Sequence, residues 1–248
     1  MVEAKGLSVG YGNNVILQGV DFSLPCGCMA VLLGSNGSGK STLLSVLCGN
    51  AKPQKGTVSI SGKNVHVCSG RELAKMVSIV VPDTRGAGAL TVKEIVALGR
   101  YPYTGIFGRL TNQDEEFISK AIETVGIGDL KYRYFGTLSD GERQKVMLAR
   151  AVAQDTEVIF LDEPTAFLDV GGKIETVKLL RKFADRGKTI ILSTHDLHSA
   201  LSAADTLMVA NKQKRILTCG SKEALISEGV LDAAFPNLTF LPDSLTFI

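Results

Sequence analysis

Residues 34–42, "GSNGSGKST", place glycines, a lysine and two hydroxyls at a spacing suited to grip a phosphate chain. They match G-x-x-x-x-G-K-[ST], preceded by the apolar run "MAVLL" (29–33) and followed by a helical pattern, the strand–loop–helix context that the motif requires. Gly34, Gly37 and Gly39 let the backbone N–H groups of the loop, those of Ser35, Asn36 and Ser38 among them, turn inward around an anion. The helix start adds a partial positive charge. Lys40 is expected to reach the β- and γ-phosphates and the Ser41 hydroxyl to ligate Mg²⁺, with Thr42 closing the cradle. The chemistry is nucleotide binding.

A second group supplies carboxylates. In "VIFLDEP" (158–164) four apolar residues put Asp162 at the end of a strand, where it would hold Mg²⁺, mostly through water. Glu163 beside it can orient and deprotonate a water aimed at the γ-phosphate, a base that a nucleotide kinase does not need. A third stretch, "LSDGERQKVMLARA" (138–151), has two meanings. Ser139 with Glu142 three residues on forms a capping box at the start of an amphipathic helix. The same tip can also be half of a site whose other half lies elsewhere.

These groups must be carried by elements. "MAVLL", "VSIVV" (77–81), "VIFL" (158–161) and "TIILS" (189–193) are continuous apolar runs, as in strands of a parallel sheet covered on both faces. Helical patterns lie between them: one from Ser41 closing at Gly49, another after Val170 closing at Gly187. Between the second and third runs come "TVKEIVAL" (91–98), capped by Thr91 and Glu94 and stopped by Gly99, then "QDEEFISKAIETVG" (113–126), then the helix from Ser139. Three helices without a strand predict a helical subdomain inserted at 83–155, with the nucleotide-binding core formed by 1–82 and 156–248. Both ends show strand–turn–strand character and are expected as antiparallel additions to the main sheet.

The chain of 248 residues carries a net charge of +2, which gives no reason to expect nucleic-acid binding. No apolar run approaches the roughly 18–20 residues that span a bilayer, and "MVEAKGLSVG" lacks a signal-peptide layout, so a cytosolic protein is expected. The five cysteines (26, 28, 48, 68, 219) have no zinc-ribbon spacing and are read as reduced thiols. "HDLH" (195–198) lacks a third ligand.

With "LSDGERQ" in place, the chain resembles the ATP-binding cassette (ABC) ATPases nearly end to end. Tyr11, "GSNGSGKST", "LSDGERQ", "VIFLDEP", "FLD" (167–169) and "STHD" (193–196) stand in the family's order and spacing. The resemblance implies an α/β P-loop NTPase with a mixed, mainly parallel sheet, an antiparallel β addition and an inserted helical subdomain. It implies ATP and Mg²⁺ as ligands and head-to-tail pairing of two ATPase subunits. Ser139, Gly141 and Glu142 would then meet the ATP bound by the partner copy, Asp169 would organise the dimer interface and Tyr11 would stack on adenine. His195 would bond the γ-phosphate and, with Glu163 and Lys40, complete the catalytic set. Two positions depart from the family: Asp140 stands where glycine is usual, and Asp83 replaces a glutamine that touches Mg²⁺. Asp83 is therefore expected to be a metal ligand beside Ser41 and Asp162.

The stretch "LTVKEIVALGRYPYTGIFGRL" (90–110) resembles the importer branch that handles iron–siderophore, haem and vitamin B12. That implies separate transmembrane permease subunits, a substrate-binding protein and a peripheral position on the cytoplasmic face of the membrane. Iron chelate is the first expectation, with cobalamin and haem behind it. A soluble ABC ATPase of assembly or repair is the alternative.

Overall fold

The computed structural model describes residues 1–81, 88–105, 107–166, 168–194, 201–235, 240–241 and 246–247. The four apolar runs are strands β3 (Met29–Gly34), β6 (Val77–Val80), β7 (Val158–Asp162) and β8 (Thr189–Ser193). With β9 (Thr206–Asn211) and β10 (Ile216–Gly220) they form a six-stranded sheet in the order β10-β9-β3-β8-β7-β6, parallel except at β10. Their unbroken apolar character has the expected cause. Met29, Val31 and Leu33 pack in one core cluster, Ala30 and Leu32 in the other, on opposite faces of the sheet. Asp162 lies beside Ser193, Leu32 beside Ser193 and Gly34 beside Ala210, so four strand ends share one edge. In open parallel sheets that carboxyl edge is where ligands sit.

The amino-terminal hairpin does not join this sheet, contrary to the sequence-based expectation. β1 (Val2–Tyr11) and β2 (Asn14–Leu24) pair with β4 (Lys55–Ile60) and β5 (Lys63–Asn64) in a separate antiparallel sheet ordered β2-β1-β4-β5. The reason is in the burial pattern. Val2, Ala4, Leu7 and Val9 are buried while Glu3 and Lys5 are not, so β1 has one apolar face and needs a second layer to cover it. That layer is α1 (Lys40–Leu47), together with Leu32 and Phe160 of the main sheet. In the carboxy-terminal hairpin, by contrast, Leu207, Met208, Val209 and Ala210 are all buried, so β9 enters the main sheet parallel to β3. Only β10 is its antiparallel addition.

The helix α2 (Gly70–Met76) leads into β6, and between β6 and β7, neighbours in the sheet, the chain runs through α3 (Val92–Ala97), α4 (Asn112–Val125) and α5 (Asp140–Gln154). Each opens on a capping box: Thr91 with Glu94, Thr111 with Asp114, Ser139 with Glu142. Gly99 does not stop α3 as the sequence predicts. The helix tightens into a 3-10 segment, Leu98–Tyr103, and Gly99 serves close packing instead: a Cβ there would lie 2.3 Å from the Arg150 carbonyl oxygen of α5.

The next residue ties the insert together. Arg100 is buried, with Nε donating to Asp114 at 2.9 Å and a terminal nitrogen to the Ala153 carbonyl at 2.9 Å. Its guanidinium lies 4.0 Å from the centre of the Tyr103 ring and 4.1 Å from that of Phe117. Removing the carboxylate strands a buried cation. Asp114→Ala is therefore expected to destabilise the protein by about 3–5 kcal/mol. Calorimetry should show the melting midpoint fall by roughly 6–20 °C, whereas an unchanged midpoint would show that the pair is dispensable.

Candidate functional site

The phosphate loop leaves β3 at the carboxyl edge and feeds α1. Gly39 caps that helix in a left-handed conformation (φ 95°) with no side-chain hydrogen bond, so the first-turn N–H donors have no side-chain partner at the cap. A Cβ at Gly39 would lie 2.5 Å from Cγ2 of Ile16 on β2, and the left-handed backbone there favours glycine as well. Lys40, 9% exposed, turns back on the loop, and its ammonium donates to the carbonyls of Gly34 (2.8 Å) and Ser35 (3.4 Å). Burial pushes its pKa down, while the carboxylates of Glu163 and Asp162 pull it back up. Ser38 supplies a fit test. Its hydroxyl is buried in the loop with no hydrogen-bond partner, a costly state for a polar atom unless a ligand completes it. A phosphate oxygen in the cradle meets that need.

The carboxylates arrive from β7. Asp162 accepts a hydrogen bond from the Ser193 hydroxyl at the end of β8, and that same oxygen accepts from the Glu163 backbone N–H at 3.2 Å. The Glu163 N–H also meets the Ser193 carbonyl at 3.1 Å. Glu163 itself adopts φ 51°, a left-handed conformation that a non-glycine residue holds only when its surroundings enforce it. Ser193 does that enforcing. It was not singled out from the sequence, although a hydroxyl closing the run "TIILS" was the available signal. A cleft of about 100 Å³ is lined by Ser41 and Asp162 together with Phe160 and Val81. A hydroxyl and a carboxylate lining one small cleft are a suitable donor set for a hard divalent cation that also takes phosphate oxygens. Among the described residues no cluster of three or more His, Cys, Asp or Glu could hold a metal by itself.

Tyr11 ends β1 and is 65% exposed, and its hydroxyl accepts from Thr42 at 3.3 Å. The phenol is thereby fastened to the start of α1 with its ring open to stacking. Asp169 caps α6 (Val170–Asp185), its carboxylate accepting the Gly172 N–H at 2.7 Å. Asp83, Phe167 and His195 lie outside the described residues.

Ser139, Gly141 and Glu142 do not join this cradle within the chain. At the tip of α5 the Glu142 carboxylate accepts from the Ser139 N–H at 2.8 Å and the Ser139 hydroxyl at 3.0 Å, and these bonds hold its pKa below the usual carboxylate range. Arg133 pairs with Glu142 at 3.1 Å and Arg143 with Asp140 at 3.3 Å. Two arginines thus offset the two acids at this helix end, including the unusual Asp140. The side-chain bonds described for the tip all stay within residues 133–143. The tip is exposed and capped, with a helix dipole directed outward.

The ABC transporter family profile matches residues 17–166. The chain is 38% identical over 94% of its length to the achromobactin transport ATP-binding protein CbrD of Dickeya dadantii, covering 87% of that protein. It is 35% identical over 94% of its length to the iron(3+)-hydroxamate import ATP-binding protein FhuC of Bacillus subtilis, again covering 87%. Among solved structures, an inward-facing ABC transporter described as of metal-chelate type superposes with a TM-score of 0.83 at 25% identity, over 100% of this chain and 94% of the other. Among the described residues no helix is long and apolar enough to cross a membrane.

Proposed function

This chain belongs to the ABC transporter family of ATP-binding proteins, and from that premise we propose that it is the ATP-hydrolysing subunit of an importer for an iron chelate. The observation that carries the reading is the meeting of Lys40, Asp162 and Glu163 at the end of the parallel sheet, with Glu163 held in a strained backbone by Ser193. The substrate class follows that of the relatives, iron(3+)-hydroxamate import among them. Cobalamin and haem stand behind it.

In this reading the amides of residues 34–39, Lys40 and the Ser38 hydroxyl grip the phosphates of ATP, with Ser35, Asn36 and Thr42 lining the loop and Tyr11 stacking on adenine. Ser41 and Asp162, joined by Asp83, would hold Mg²⁺, which when bound offsets charge on the phosphates. Glu163 orients a water and takes its proton as the water oxygen attacks the γ-phosphorus. The bond to the bridging oxygen breaks, giving ADP and phosphate. His195 fixes the geometry of the attacking water. Two copies pack head to tail, so that Ser139, Gly141 and Glu142 of one reach the ATP of the other, with Asp169 at the interface. The core (1–82 and 156–248) and the insert (83–155) then move as ATP closes the pair. Such a population shift needs several kcal/mol of preference for the closed state.

The chain would sit on the cytoplasmic face of the membrane against two permease subunits served by a substrate-binding protein. Proteoliposomes carrying the copurified complex, with binding protein and ATP, are expected to accumulate a radio-iron hydroxamate chelate and not free ferric ion. Uptake of cobalamin but no iron chelate would reassign the cargo, and ATP-independent uptake would overturn the coupling.

A further inference from the structure

We propose that Lys212 is a second phosphate-binding cation of the nucleotide site, reaching the loop from the turn between β9 and β10. The proposal rests on the phosphate-loop reading above. Because β3 and β9 are parallel with Gly34 opposite Ala210, the two chains leave the sheet side by side. One continues as the phosphate loop and the other as "NKQKR" (211–215). That turn is held in place. Asn211, buried, donates from Nδ2 to the Ala233 carbonyl of α8 (Val230–Ala234, the helix after α7, Lys222–Ser227) at 2.8 Å and accepts the Lys214 N–H at 2.9 Å. At its far end Arg215 takes a left-handed φ of 56°, and its carbonyl accepts the Gln18 N–H of β2 at 2.9 Å. Lys212 therefore projects from a fixed base.

Its direction is set by Gly37. The Lys212 ammonium stands 3.3 Å, and its Cε 3.8 Å, from the point where a Cβ on Gly37 would be. The glycine leaves the approach to the loop open. The ammonium makes no hydrogen bond or ion pair with another described residue. A cation placed at Gly37, against the loop that leads into Lys40 and α1, adds positive potential where an anion is read to sit. The arrangement becomes favourable when a polyanion fills the loop. Since Lys212 meets the loop at Gly37 rather than among Asp162 and Glu163, it strengthens binding of ATP and ADP alike and takes no part in the chemical step. It is a binding residue, supplied by the carboxy-terminal hairpin.

Titration calorimetry of the full chain with MgATP and MgADP tests this, using Lys212→Ala, Lys212→Glu and Lys212→Arg with Lys40→Ala as reference. Lys212 is exposed, so these variants are expected to fold as the wild type does. Lys212→Ala should raise both Kd values about threefold to tenfold at low salt, with Lys212→Glu worse and Lys212→Arg close to wild type. The kcat at saturating ATP should not change, and the gap should narrow as salt screens the charge. Unchanged Kd values in Lys212→Ala and Lys212→Glu, with binding lost in Lys40→Ala, would overturn the proposal and leave the phosphate loop standing. If Lys40→Ala also binds normally, the underlying reading fails. A fall in kcat with unaltered Kd would likewise overturn the assignment as a binding residue.

Discussion

Glu163→Gln is expected to bind ATP as tightly as the wild-type chain and to hydrolyse it about 10²–10⁴ times more slowly. The substitution is isosteric. The two hydrogen bonds from its backbone N–H to Ser193 do not involve the side chain, and the left-handed backbone is no harder for glutamine than for glutamate. What disappears is the carboxylate assigned as the base; Asp162, the other described carboxylate beside Lys40, accepts from Ser193 and is assigned to the metal. Phosphate release assayed alongside nucleotide binding separates the two effects. With hydrolysis blocked, ATP should hold the chain as a dimer, visible by light scattering. Near wild-type turnover would remove Glu163 from the mechanism, and persistent monomers in ATP would count against closure.

The second large effect belongs to Ser139. Losing one donor to developing charge typically costs about 10²–10³ in rate, and Ser139→Ala should lose turnover on that scale. Some stability goes with it, because Ser139 also caps α5; an N-cap change to alanine costs about 0.5–2 kcal/mol. A melting curve taken beside the rate shows whether the chain is still folded. The decisive measurement mixes Ser139→Ala with Lys40→Ala. In a mixed pair, the intact loop of the first faces the intact helix tip of the second, so one of the two sites is whole and activity should partly return. No return in a verified mixed dimer would argue that Ser139 does not act on the partner's nucleotide.

Local chemistry was legible in the residues themselves. A cradle of the form G-x-x-x-x-G-K-S can be read from a string because its parts are contiguous, and so can a carboxylate pair at the end of an apolar run or a serine–glutamate capping box. Burial on both faces made the four main strands equally plain, since continuous apolar runs have no solvent face to interrupt them. What the string could not hold was distance between segments. That β1 and β2 belong to a second sheet followed from the need to cover a one-sided apolar face, and no local pattern names the layer that covers it. Gly99 looked like a helix stop and proved to be a contact with the Arg150 carbonyl, a partner 51 positions away. Ser193, at the end of β8, positions both Asp162 and the Glu163 backbone, and Lys212, in the turn after β9, meets Gly37; each reaches its partner only because the parallel sheet sets β8 beside β7 and β9 beside β3 with their ends at one edge. Residue type and spacing determined which chemistry this protein can do. Strand order and register decided which side chains do it together, because a hydrogen bond or a charge acts over a few ångströms of space, however far apart its partners stand along the chain.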